Sequence, residues 1–123
     1  MQRDTRQRRA IVKTVGEAGR PLGPQEILER AQRYVPRLGI ATVYRTIRGL
    51  VESGTFRVVK LPGAADRYET AGKHHHHHFH CRDCDGVFEL DSCTDDFREL
   101  APSGFKLDHH EVTLYGLCPS CAV

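Results

Sequence analysis

Four cysteines stand in two Cys-x-x-Cys pairs in the last third of this chain: Cys81 and Cys84 in CRDC, Cys118 and Cys121 in CPSC. Each loop of this kind presents two thiolates from one tight turn, and two loops complete the four-sulfur tetrahedron of a structural zinc ion. Thirty-three residues separate Cys84 from Cys118, room for a strand, a helix and a returning strand. In a reducing compartment such pairs are zinc clips or thiol redox motifs more often than structural disulfides, and the doubling favours the clip. Cys93 is left over, as a reduced bystander or a redox residue.

Directly before the first pair the chain reads HHHHHFH, from position 74 to 80. The run is internal and has no linker, which argues against a purification tag. On a strand its side chains alternate, so His74, His76 and His78 face one way while His75 and His77 face the other. One run can then feed two separate sites. Imidazole suits zinc, iron, nickel and copper alike, so histidine by itself does not name the metal. Glu69, Glu89, Asp96 and Glu111 are carboxylate candidates for completing the shells, and His109-His110 offers a second source of imidazole.

These donors need a scaffold, and the periodicity of the chain predicts one. Thr5 can cap a helix over 5–18, with Ile11, Val15 and Ala18 on one face. Gly19-Arg20-Pro21 ends it, and Gly23-Pro24 opens a second helix over 24–34 that buries Ile27, Leu28 and Ala31. After a turn at 36–39, a third helix over 41–53 buries Val43, Ile47, Leu50 and Val51 and stops at Gly54. Two β-rich segments, 55–61 and 66–70, then form a hairpin. Three helices followed by a hairpin make a winged helix-turn-helix. In that fold the third helix enters the DNA major groove, with Thr42, Tyr44, Arg45 and Arg48 pointing outward. Arg45 and Arg48 then meet base edges or phosphates and Tyr44 a thymine methyl, while Arg6, Arg8 and Arg9 supply phosphate or minor-groove contacts. The competing reading of the third helix is a solvated surface helix.

Beyond a hinge at 71–73, strands are expected over 75–81 and 86–90, a short helix over 94–101 capped by Thr94, and a long strand over 104–116. The fold class is therefore α+β: a winged-helix DNA-binding domain (1–70), the hinge, and a small α/β metal-binding domain (74–123). The charge divides the same way. Residues 1–60 hold thirteen Lys/Arg against five Asp/Glu, and residues 61–123 hold five against eleven. A basic half suits a polyanion and an acidic, histidine-rich half suits cations. With 123 residues and no Trp, two such domains have little core each. A structural metal or a dimer would supply what burial does not. No stretch is apolar enough for a membrane span or a secretory signal, so a cytoplasmic location is expected.

Taken together, GIATVYRTI (39–47), the His run leading into CRDC, GFKLDHHEVTLYG (104–116) and the closing CPSC resemble the ferric uptake regulator family of metal-dependent transcriptional repressors. The resemblance covers nearly the whole chain, and its specificity lies in the combination. It implies a homodimer, not an enzyme, that binds a palindromic double-stranded DNA operator when loaded with a regulatory divalent metal. It assigns the structural Zn2+ to Cys81, Cys84, Cys118 and Cys121. The regulatory metal falls to Glu69, His76, His78 and Glu89, and a further metal to His75, His77, Asp96 and His110. Within the family, the unbroken HHHHH and the TRQRRAI start are most similar to zinc uptake regulators. Zn2+ is then expected as the regulatory ion ahead of Fe2+ or Mn2+. Iron-responsive regulators come second, and peroxide sensors third, since those usually carry aspartate where Glu89 stands.

One departure stands out. Many members place a metal-binding histidine before helix two, whereas this chain reads GRPLGPQ there and has no histidine before His74. The hinge-side site therefore lacks one customary ligand. Two other classes compete: a zinc hydrolase and a metal buffer. The hydrolase lacks any spacing of the H-E-x-x-H kind, and the buffer leaves the basic half without a role.

Overall fold

A computed structural model of the chain describes residues 5–73, 75–91 and 97–123. It divides into two compact units, Met1–Lys73 and His74–Val123.

The first unit is a winged helix-turn-helix. Helices α1 (Thr5–Ala18), α2 (Pro24–Ala31) and α3 (Ile40–Glu52) precede strands β1 (Phe56–Val59) and β2 (Arg67–Thr70). The α1 stripe of Ala10, Ile11 and Val15 is buried against Ile27 and Ala31 of α2 and Val43, Ile47 and Leu50 of α3. Helix α2 begins at Gly23, whose N–H donates to Glu26 Oε1 at 3.2 Å, with Pro24 as its first residue. That proline has no N–H to leave unsatisfied and a φ already suited to a helix.

Helix α2 ends at Ala31, three residues before the expected 34. The Arg33 and Tyr34 N–H groups reach back only three residues, to the carbonyls of Arg30 and Ala31. Pro36 disfavours helical geometry at Val35. The chain instead turns inward to bury Val35 and Leu38, and Gln32 Nε2 donates to the Leu38 carbonyl at 3.0 Å to hold that turn.

Helix α3 stops as Gly54 adopts φ +81. The Thr55 N–H bonds the Leu50 carbonyl and the Gly54 N–H the Val51 carbonyl, the double closure that a left-handed residue after a helix permits. Strands β1 and β2 are antiparallel, with Phe56 opposite Thr70 and Val59 opposite Arg67. They are shorter than the segments expected at 55–61 and 66–70. Leu22 adds a one-residue bridge to Tyr68 through two backbone bonds of 3.0 and 2.9 Å, a third strip of sheet that periodicity gives no sign of. Leu50, fully buried in this core, makes a direct test. Leu50→Ala is expected to cost about 2–5 kcal/mol, read as a lower urea midpoint of the helical circular dichroism signal.

The second unit is a three-stranded sheet in the order β4-β3-β5, formed by β3 (His77–Cys81), β4 (Val87–Leu90) and β5 (Thr113–Gly116). The β3–β4 pair is antiparallel and the β3–β5 pair parallel. Two expectations need correction. Of the helix over 94–101, its Thr94 cap lies outside the described residues, and Phe97–Leu100 forms only one 3₁₀ turn. Pro102 bars continuation through Ala101. The strand expected over 104–116 is confined to its last four residues. Its partner β3 meets it only from His78↔Thr113 to Cys81↔Gly116. The earlier alternation has no strand beside it among the described residues and leaves Phe105 and Leu107 exposed. No helix among the described residues is long and apolar enough to cross a membrane.

Candidate metal centres

The two Cys-x-x-Cys loops meet at one end of the sheet. Cys81 closes β3, Cys84 sits in the turn to β4, and Cys118 and Cys121 follow β5, so the parallel β3–β5 pairing carries both loops to the same place. The four sulfurs lie within 4.8 Å of one another. Cys84 Sγ and Cys118 Sγ are 3.8 Å apart. Four sulfurs about 2.3 Å from a tetrahedral zinc are separated by about 3.8 Å, so this donor set fits the ion in both type and spacing. The backbone favours thiolate: the N–H groups of Cys118 and Cys84 point at Cys81 Sγ at 3.4 and 3.5 Å. Chiefly through the Cys118 bond, with Cys84 next, they bring the Cys81 thiol down to about 6. Cys121 is pushed the other way, first by its hydrogen bond to Cys118 and then by burial. The thiolate so favoured at Cys81 is the form that ligates a metal ion.

The imidazoles of the His run sort into two groups as alternation predicts, although β3 begins at His77 and not at the expected 75. His75 and His77 pack edge to face with centroids 4.5 Å apart, and His76 and His78 do the same at 4.9 Å. His110 joins the first pair, its Nε2 3.3 Å from His75 Nε2, and the three imidazoles form a possible metal-binding group. Two nitrogens on one tetrahedral zinc stand about 3.3–3.4 Å apart, so this spacing also suits an ion. Burial, then the neighbouring His75 and His110, lower the His77 pKa. That favours the neutral ring, the form that ligates metal. His77 Nδ1 accepts the Val112 N–H at 3.1 Å, which puts the neutral ring's proton on Nε2. An ion taking His77 has to displace one or the other. Asp96, the expected fourth member, lies outside the described residues, as do Cys93 and His74.

On the opposite side of β3, His78 is directly across from Glu89 of β4. His78 and Glu89 therefore share one face of the sheet, and the His76 ring packs on that of His78. Glu69 belongs to the first unit, at the middle of β2. There it is buried, and its Oε2 is ion-paired to Arg57 Nε at 2.9 Å. Arg57 was not singled out from the sequence, yet the hairpin register Arg57↔Glu69 explains it. A hairpin aligned on its turn would have shown the pairing. Of the remaining candidates, Glu111 is exposed, with its Oε2 3.5 Å from His109 Nε2.

On α3 the side chains of Tyr44, Arg45 and Arg48 are exposed and Thr42 half-exposed, opposite the buried Val43–Ile47–Leu50 stripe. Arg45 Nη2 donates to Thr42 Oγ1 at 3.2 Å, which orients the guanidinium along the helix. Arg6, on α1, is exposed and reaches the Tyr34 carbonyl at 3.4 Å.

The sequence model of the Ferric uptake regulator family matches residues 2–115. The ferric uptake regulation protein of Campylobacter jejuni is 32% identical over 122 residues, covering 95% of this chain and 78% of that protein. Among solved structures, a zinc-bound manganese uptake regulator superposes with a TM-score of 0.79 at 26% identity, covering 95% of this chain and 91% of that one. FurB of M. tuberculosis, described as a zinc uptake regulator, gives a TM-score of 0.53 at 28% identity, covering 96% and 94%. Relatives named for iron, manganese and zinc thus share this architecture.

Proposed function

Because the chain belongs to the ferric uptake regulator family, we propose that it is a zinc-sensing, DNA-binding transcriptional repressor of metal-uptake genes, acting as a cytoplasmic homodimer on a palindromic operator. One observation carries the reading: an outward-facing Thr42–Tyr44–Arg45–Arg48 surface on α3 and clusters of metal-donor side chains occur in the same short chain.

In this proposal Cys81, Cys84, Cys118 and Cys121 hold a permanent Zn2+ that fixes the second unit. Glu69, His76, His78 and Glu89 take the regulatory ion, and His75, His77, Asp96 and His110 a further one. The regulatory ion supplies positive charge that acidic and imidazole donors from both units can share. Residues 71–73 serve as the hinge, and ligation selects the arrangement that seats two α3 helices in successive major grooves. Glu69 has to exchange some of its pairing with Arg57 for this role. Dimerisation is supported by the outer edge of β5, which has no strand beside it among the described residues and exposes Leu114 and Tyr115, with Leu117 just beyond. A bare apolar edge of this kind invites a partner.

The choice of zinc rests on the unbroken histidine run and the TRQRRAI start. Iron is the second reading, favoured by the Campylobacter relative. The test is fluorescence anisotropy with duplexes selected from a random pool, titrated against buffered free Zn2+, Fe2+ and Mn2+. Tightening at the lowest free concentration of Zn2+ supports the proposal. Tightening first with Fe2+ moves the assignment to iron, and DNA binding indifferent to all three metals removes the regulatory role. Arg48→Ala is expected to weaken binding and flatten the slope of log affinity against log salt by about one if Arg48 meets a phosphate. A zinc hydrolase or metal buffer would show no steep salt dependence at all.

A further inference from the structure

His80 and Asp85 lie outside all three groups of candidate metal donors, yet they flank the first Cys-x-x-Cys loop, one residue before Cys81 and one after Cys84. Their side chains meet: His80 Nε2 and Asp85 Oδ1 are 2.5 Å apart, with the imidazole largely shielded. Backbone bonds close the same loop, from the Asp85 N–H to the Cys81 carbonyl at 3.1 Å and from the Cys81 N–H to the Gly86 carbonyl at 2.9 Å.

Asp85 also has φ +65, the left-handed conformation, and is the sole non-glycine described residue with positive φ. Glycine is the residue that adopts this geometry without strain. Here glycine sits one position later, at Gly86, where a Cβ would press to 3.2 Å from the Phe88 ring and 3.3 Å from Cys84 Sγ. The loop therefore places its glycine where space is short and an aspartate where the backbone is awkward. An aspartate tolerates that backbone best when its carboxylate has a fixed partner.

We propose that the His80–Asp85 hydrogen bond is a clasp across the first Cys-x-x-Cys loop, and that these are positioning residues that slow the release of the ion held by the four thiolates. The inference rests on the reading that Cys81, Cys84, Cys118 and Cys121 hold zinc. With its ends tied outside the sulfur cluster, the loop keeps Cys81 and Cys84 poised together when one sulfur lets go, so recapture outruns escape. His80 fits this role because its ring packs toward Tyr115 of β5, centroids 5.9 Å apart, which anchors the clasp to the strand leading to the second cysteine pair.

The test is zinc release from the purified full-length protein into excess chromogenic chelator, after a weak chelator has cleared the histidine sites and with the remaining zinc per chain measured beforehand. Asp85→Gly and His80→Phe are each expected to release zinc roughly tenfold faster, the lower end of the effect of outer-shell partners on metal sites. The double variant should be no faster than either single one. Asp85→Asn keeps a left-handed-tolerant residue and an acceptor oxygen, and should fall between. Asp85→Gly is decisive, because glycine relieves the backbone. If the aspartate is merely tolerated there, this variant releases zinc as slowly as the wild type or more slowly, and the clasp is overturned. Should Asp85→Gly or His80→Phe fail to load zinc, Asp85→Asn decides alone: wild-type release overturns the proposal and faster release upholds it. A wild-type protein that binds no zinc, and gives no thiolate charge-transfer band with Co2+, would refute the zinc assignment itself and the clasp with it.

Discussion

Cys81→Ser is expected to empty the four-sulfur centre and unfold the second unit while leaving the first standing. The buried apolar residues of that unit, among those described, are Cys81, Val87 and Cys118, and two of the three are themselves sulfur donors. Burying a side chain such as Val87 contributes about 1.5–3 kcal/mol. Zinc binding to four-ligand sites in small domains contributes on the order of 10–16 kcal/mol at neutral pH. The ion therefore outweighs the core of this unit severalfold. The first unit has its own cluster, from Ala10 to Phe56, and all three helices lie within it. Ellipticity at 222 nm should thus change little in Cys81→Ser. Once a weak chelator has cleared the histidine sites, the zinc left in the wild-type second unit should be missing from Cys81→Ser, and sedimentation should show loss of the proposed dimer. A variant that stays dimeric with a cooperative melt and no zinc would show that apolar packing, and not the metal, holds this unit.

The second large effect concerns regulation. In the wild type, the regulatory ion is expected to tighten operator binding by a factor within the usual allosteric range of about 5–150. His76→Ala should reduce that factor to about two or less without altering binding at saturating protein in low salt. The imidazole of His76 stands beside His78, which faces Glu89 across the strand pair, so its loss removes one of the nitrogen donors of that group. His75→Ala, on the other face, separates the proposed sites, since it should leave the zinc-dependent tightening largely in place. Equal tightening in wild type and His76→Ala would mean that the regulatory ion binds elsewhere.

Much of this was legible in the sequence where a physical rule had one solution. The i, i+4, i+7 spacing of Val43, Ile47 and Leu50 with Gly54 behind it fixes α3 and its buried side. The alternation of His75 to His78 sorts the imidazoles because a strand has only two faces. Legibility failed where the outcome depended on partners distant in the chain. Helix α2 continues favourably through Gln32 on local grounds, but burial of Val35 and Leu38 pulls the chain away. The alternation over 104–116 is a strand pattern, and only the part facing β3 becomes strand. Arg57 opposite Glu69 and His80 against Asp85 follow from register and turn geometry, neither of which a list of residue types contains.

The five residues of β3 supply donors to opposite sides of one thin sheet, His77 to one and His78 to the other, before ending at Cys81. Because positions 74 to 78 are all histidine, deleting one of them still leaves an imidazole at each of the four places before Phe79 and shortens only the link back to Lys73. Deleting two puts Lys73 in the place of His75 and takes one imidazole from that side. The segment thus carries one spare residue, and natural variants are expected to tolerate a run of four but not a run of three.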